Sequence, residues 1–260
     1  MTLALGTFGD AIRRKILNIF LLVGLAMIIL FFAFSAFTPG EEMVIMKSTG
    51  LGVISLAGVF ISVILGINLI PQEIDQRTIY TILSKPVYRW QFLIGKYIGG
   101  LLTVLVNIFL MGFVFWLGVL LKLYLNHTPS WEPSIWDGII MIFFQMILIN
   151  GVAILFSVFT TPFVNFFLTF AIYIVGSMSS ITESLATPDP KRNVLVTDLF
   201  KFVHFIIPNF GNFNIQNPII HPDVEITDMT RYMVINMLYA IVFVLAMMLI
   251  AILIFDRREV

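Results

Sequence analysis

The sequence predicts an all-α polytopic membrane protein: six transmembrane helices, an N-terminal interfacial helix, a charged segment under the membrane after the second span, and an outer amphipathic helix between spans five and six. Three observations lead there. Mean hydropathy is +1.01. Of 260 residues, 59% are hydrophobic and only 12% charged, against roughly 25% charged in a soluble domain, so there is too little polar surface to cover a water-soluble globule. Apolar runs of the roughly 20 residues that cross a bilayer occur six times, at 16–37, 51–70, 97–121, 138–159, 163–181 and 232–255. They read as one domain, 1–260.

Ahead of the first run, Phe8, Ile12, Ile16 and Ile19 share one helical face while Asp10, Arg13 and Arg14 are polar. This predicts a helix over 3–15 lying in the inner interface; the plainer alternative is a charged anchor. Arg13-Arg14-Lys15 and the Ala33-Phe34-Ser35-Ala36 step imitate a signal peptide. The run between them is longer than a ~7–15-residue signal core, so it reads as a retained span.

In the second span Gly58, Ser62 and Gly66 repeat every fourth residue, and Gly95 and Gly99 repeat that spacing at the start of the third. Small residues so spaced let helices approach closely, for packing inside one subunit or at a seam between two. Asn107, Gln145, Asn150, Asn165 and Asn236 are polar groups in or near hydrocarbon. Interhelical hydrogen bonds, at ~0.6–2 kcal/mol each, account for such residues. Trp131 and Trp136 flank the fourth span as interfacial aromatics do. In the outer segment 182–231, Leu199, Phe202, Val203 and Ile206 recur at helical spacing opposite Asp198, Lys201 and His204. Pro208-Asn209-Phe210-Gly211-Asn212 then breaks the pattern with turn residues.

Orientation follows from basic residues near the span ends. With the N-terminus inside, the inner side holds Arg13, Arg14, Lys15, Arg77, Lys85, Arg89, Lys96, Arg257 and Arg258; the short outer loops hold Lys47 and Lys122. Six spans return the C-terminus to the inside.

Several chemistries are excluded. There are no cysteines, hence no thiolate metal site or cysteine nucleophile. His127, His204 and His221 fall in no ligand spacing, and Glu183 and Asp189 flank a proline-rich loop with no histidine nearby. No metal, cofactor or catalytic pair is expected. No GxxxxGK[ST] loop is present; Gly95-Lys96-Tyr97 lacks the glycine-rich lead and the hydroxyl, so the chain is expected to bind no ATP and to be no enzyme. A formal net charge of +0 argues against nucleic acid.

One block departs from the oil: "QEIDQRTIYTILSKPVYRWQFLIGKY", from Gln72 to Tyr97. Pro71 suits a first helical turn, and Glu73 and Asp75 suit the dipole there. Ile79, Ile82 and Leu83 give an apolar face, and Pro86 ends it. A second amphipathic piece follows, with Val87, Trp90, Leu93, Ile94 and Tyr97 on one side and Arg89 and Lys96 elsewhere. Two short helices under the membrane, forming a docking surface, fit this pattern. A solvated basic loop explains the lysines and arginines but not the two amphipathic pieces.

These residues resemble the cytoplasmic segment of type-2 ATP-binding-cassette (ABC) permeases. Glu73, Thr78, Ser84, Lys85, Pro86, Val87, Arg89, Phe92, Gly95, Lys96 and Tyr97 match its pattern. "IIPNFGNFNI" (206–215) is similar to that family's outer segment, and "FDRREV" to its charged C-terminal end. Asp10 stands where such proteins often have Glu.

The resemblance implies a permease subunit, in a homodimer or a heterodimer, paired with two copies of a separately encoded ABC ATPase that carries ATP and Mg. It makes the first helix of the segment 71–96 a coupling helix, with Glu73, Asp75, Arg77, Thr78, Ser84, Lys85, Pro86 and Arg89 as ATPase-docking residues. The implied location is a bacterial or archaeal inner membrane, in lipid. The implied function is export; the alternative is transmission of work to an outer-face protein partner.

Overall fold

A computed structural model describes residues 2–13, 15–35, 42–71, 88–127, 131–186, 194–215 and 228–257. Among them there is no strand. The helices are α1 (Thr2–Ile12), α2 (Lys15–Ser35), α3 (Glu42–Asn68), α4 (Arg89–Leu125), α5 (Ser134–Ser157), α6 (Pro162–Ser177), α7 (Ser179–Ala186), α8 (Val194–Ile206) and α9 (Met229–Arg257), with a 3-10 turn at Gly211–Phe213 before α9. The protein is an all-α polytopic membrane protein. Among the described residues, five helices, α2 to α5 and α9, are long and apolar enough to cross a bilayer. The fifth apolar run folds as α6, of 16 residues. At 1.5 Å per residue it spans about 24 Å, less than the ~30 Å hydrocarbon core.

Burial sorts the helices. In α3, 72% of the apolar window is buried, against 17% in α2. α3 packs on α5, α2 and α4, so α3 and α5 form the centre of the bundle. On the periphery, Leu22, Ile29 and Leu30 of α2 and Val242, Leu245, Leu249 and Leu253 of α9 are exposed. Such a surface is stable only in a medium as apolar as itself.

α4 differs from the expected boundary. A separate amphipathic piece was expected before a span starting at 97; instead one helix of 37 residues runs unbroken from Arg89, about 55 Å long. No proline interrupts it, and Phe92, Leu93, Lys96 and Tyr97 are already buried in its first turns. Packing thus extends the helix through Gly95, Gly99 and Gly100. At its start Tyr88 is extended, and its N–H donates to Gln91 Oε1 at 3.2 Å.

α1 lies on α4, but by its small-residue side. Ala4, Thr7 and Ala11 are buried, whereas Leu5, Ile12 and, in α2, Ile19 are exposed. Gly99 makes this approach feasible: a Cβ there would sit 2.6 Å from Thr7 Cβ and 2.7 Å from Ala4 O. The bulky face read from the sequence therefore looks outward. α8 behaves similarly: Leu195, Leu199, Phe202, Phe205 and Ile206 are exposed, and Thr197 is buried.

The bundle has two chemically distinct ends. One gathers Pro71, Arg89 and the last turn of α9. The other carries the ion pairs Lys47–Glu132 at 2.8 Å and Lys122–Glu42 at 2.5 Å. There the Trp116 ring lies 5.9 Å from both Trp131 and Trp136.

Candidate functional site

At the Arg89 end, a basic side chain meets a helix C-terminus. The last carbonyls of a helix have no partner within it, and they carry the negative end of its dipole. Arg89 Nη1 donates to Phe255 O at 3.0 Å and to Asp256 O at 3.3 Å. Its guanidinium lies 5.9 Å from the Phe255 ring centroid, and Phe92 stacks on that ring at 6.1 Å. Arg89, expected to face a partner, thus ties the start of α4 to the end of α9. Tyr88 and Trp90 beside it are exposed. Glu73, Asp75, Arg77, Thr78, Ser84, Lys85 and Pro86 lie outside the described residues.

At the centre, the small-residue stripe of α3 faces α5 of the same chain. A Cβ on Gly66 would fall far inside contact distance of Ala153 Cβ, and one on Gly58 would lie 3.2 Å from Met146 Sδ. Between them Asn150 Nδ2 donates to Ser62 O at 3.2 Å. Among the described residues, Ser62 Oγ and Asn150 Oδ1 are buried without a hydrogen-bond partner. Gly99 serves α1, as above, and Gly95 is only half-buried.

Of the other membrane polar residues, Asn165 Nδ2 donates to Ala153 O at 2.8 Å and joins α6 to α5. Asn107 and Asn236 instead donate to carbonyls one turn back in their own helices, Thr103 O and Tyr232 O.

At the Trp131 end, α3, α5, α6 and the turn after α8 enclose a cavity of about 360 Å³. Gln145 reaches across it: Nε2 donates to Phe210 O at 3.2 Å, and Oε1 accepts from Ser55 Oγ at 3.4 Å. The turn itself is held on several sides. Phe210 N–H donates to Gly176 O at 3.0 Å. Asn209 N–H donates to Tyr239 Oη at 3.0 Å, and Tyr232 Oη donates to Asn212 O at 2.8 Å. Phe210, Phe213 and Ile215 are buried. Gly176 is required for closeness: a Cβ there would overlap Pro208 O and lie 2.5 Å from Phe210 Cδ2.

Residues 8–260 match the family model described as ABC-2 family transporter protein. The chain belongs to the ABC-2 transporter family. The match runs over nearly the whole sequence, so it covers the apolar bundle, the charged segment and the outer turn together. A comparison with curated proteins found no match. As an ABC-2 family member with five long apolar helices, the protein is an integral membrane component of a transporter. An ABC ATPase is the partner that this family implies in general.

The sequence did not reveal the cavity, nor the bonds from Gln145, Tyr232 and Tyr239 to the turn. Proline, glycine and asparagine marked a turn at 208–212, but not which helices it would reach. Gly176 was a signal in principle, as a lone glycine at the end of an apolar run.

Proposed function

We propose that this ABC-2 transporter component is an export permease that binds no nucleotide and is driven by a separately encoded ABC ATPase. The observation that carries this reading is the family match over 8–260, joined to a sequence without a phosphate loop. Two copies of the chain, as a homodimer, pair with two ATPase subunits. The Arg89 end and both termini face the cytoplasm, and the Trp131 end faces outward. The segment 71–96 docks on the ATPase through Glu73 and Arg77, with Asp75, Thr78, Ser84, Lys85 and Pro86 beside them. Arg89 then carries the displacement to α9, since its guanidinium already holds the α9 carbonyls.

The test is co-purification and ATP turnover of Glu73→Lys and Arg77→Glu with the cognate ATPase. Across a docked interface charge reversal costs several kcal/mol, so association falls or hydrolysis uncouples, while the membrane bundle stays monodisperse. Normal assembly and turnover of both variants would reduce the block to a solvated loop.

A second reading is transmission of work to an outer partner protein. The exposed apolar side of α8, with Leu195, Leu199, Phe202 and Phe205, favours it. An ATPase-dependent outer protein that co-purifies, with loss on Phe202→Glu, would select this reading over export.

A further inference from the structure

We infer that the cavity at the Trp131 end is a binding site for an uncharged ligand that carries hydroxyl or amide groups on an apolar frame. The inference deepens the permease reading and rests on it for what the bound ligand does there; binding itself belongs to this chain alone.

Size comes first. About 360 Å³ falls within the ~300–1,000 Å³ of small-molecule pockets, and is far more than one buried water needs.

Charge comes second. Among the described residues, no Asp, Glu, Lys, Arg or His lines the cavity. The nearby Lys47 and Glu132 neutralise each other at 2.8 Å. An ion brought there would lose hydration with no counter-charge among the described lining residues, which is strongly unfavourable. A neutral ligand meets no such barrier.

The third observation is the lining itself. Tyr173 and Phe210 place their rings 5.7 Å apart and tilted by 56°, so two aromatic faces form a corner suited to an apolar surface. Amides and hydroxyls stand around it. Gln145 is 5% exposed, and among the described residues its Oε1 receives only the 3.4 Å contact from Ser55, at the outer limit of a hydrogen bond. That oxygen keeps acceptor capacity for a ligand hydroxyl or N–H. Ser177 and Asn214 line the same cavity and are exposed, so the cavity opens past them. A site built from aromatic faces and neutral amides selects hydrogen-bonding groups without charge. Free solutes and neutral lipid heads share that chemistry.

The experiment uses the purified full chain in phosphatidylcholine nanodiscs, without ATPase. The probe is a monoacylglycerol bearing a diazirine in its chain next to the glycerol ester. Control probes of equal chain length carry a carboxylate or a trimethylammonium head. After photolysis, adducts are mapped by peptide mass spectrometry. The expected result is saturable labelling within 173–179 or 210–215 by the neutral probe, at least tenfold above either charged probe. Ser177→Trp, a substitution at an exposed rim position, should lower it at least tenfold by filling the mouth. Gln145→Glu should lower neutral labelling and raise trimethylammonium labelling at the same peptides.

Competition separates the sources. Displacement by excess free glycerol points to a soluble ligand, and displacement by monoolein alone points to a lipid head. Equal labelling by all three probes, no saturable labelling there, or labelling untouched by Ser177→Trp would overturn the inference. Failure here leaves ATPase association intact, and failure of ATPase association leaves this binding intact, so the two readings fall separately.

Discussion

Gly66→Ala tests the central packing most directly. The methyl group it adds would fall well within contact distance of Ala153 Cβ and 3.4 Å from both Ala153 Cα and Asn150 O. Carbon atoms rest at roughly 3.5–4.0 Å, so α3 and α5 must separate by about 1 Å or more. That displacement carries the Asn150–Ser62 hydrogen bond, 3.2 Å long, beyond bonding distance. Overpacking costs about 1–3 kcal/mol, and the lost bond about 0.6–1.7 kcal/mol. The sum is a destabilisation of about 2–5 kcal/mol, read by equilibrium unfolding in mixed micelles. Gly52→Ala is the control, because a Cβ there meets nothing within 4 Å; it should change stability by no more than ~0.5 kcal/mol. Ala153→Gly in the Gly66→Ala background removes the colliding methyl and should recover most of the loss. Equal behaviour of the two glycine variants, or no recovery from Ala153→Gly, would refute this account of the α3–α5 contact.

Arg89→Ala strips two carbonyls at the end of α9 of their donor; hydrogen bonds to charged groups contribute about 1.5–3 kcal/mol, and amide exchange should accelerate near 253–257. Arg89→Lys should restore only part of the protection. Tyr239→Phe removes the acceptor of Asn209 N–H at a cost of about 1–3 kcal/mol; exchange should rise at 209–213, and unchanged exchange there would show that the turn does not lean on α9. For orientation, the cysteine-free chain permits single cysteines at Lys47, Lys122 and Lys191, which should label from outside, and at Gln76 and Arg258, which should not. External labelling at position 76 would reverse the proposed topology. Neutralising Lys47 should cost no more than ~1 kcal/mol, since Glu132 and Lys47 form a partly exposed pair.

The sequence by itself determined the class of the molecule. Hydropathy alone requires a bilayer, because a chain with 12% charged residues has too little polar surface to be solvated by water, and a bilayer leaves helices as the way to satisfy the backbone. Period-four small residues announced close helix contacts. The residues of the charged block and the outer turn were specific enough to resemble the family that the match over 8–260 shows. These are local or compositional signals, written in neighbouring residues.

What only the tertiary structure decided is which surfaces meet. The Gly58–Ser62–Gly66 stripe was compatible with a seam inside one subunit or between two, and it faces α5. The bulky side of α1 was read as the apolar face of an interfacial helix, which left open what its other side meets; Ala4, Thr7 and Ala11 pack on α4, because Gly99 lets only a small-residue side come so near. The family resemblance gave Arg89 a docking role; the α9 carbonyls that it holds lie 166 and 167 residues away in sequence, where no local pattern points to them. Gln145 and Phe210 are 65 residues apart, and the cavity beside them exists only where four separate segments converge. Periodicity reports a face, but in a chain apolar on nearly every face it does not say which neighbour that face receives. That choice is made by shape, through glycines and small side chains that admit one helix and exclude another.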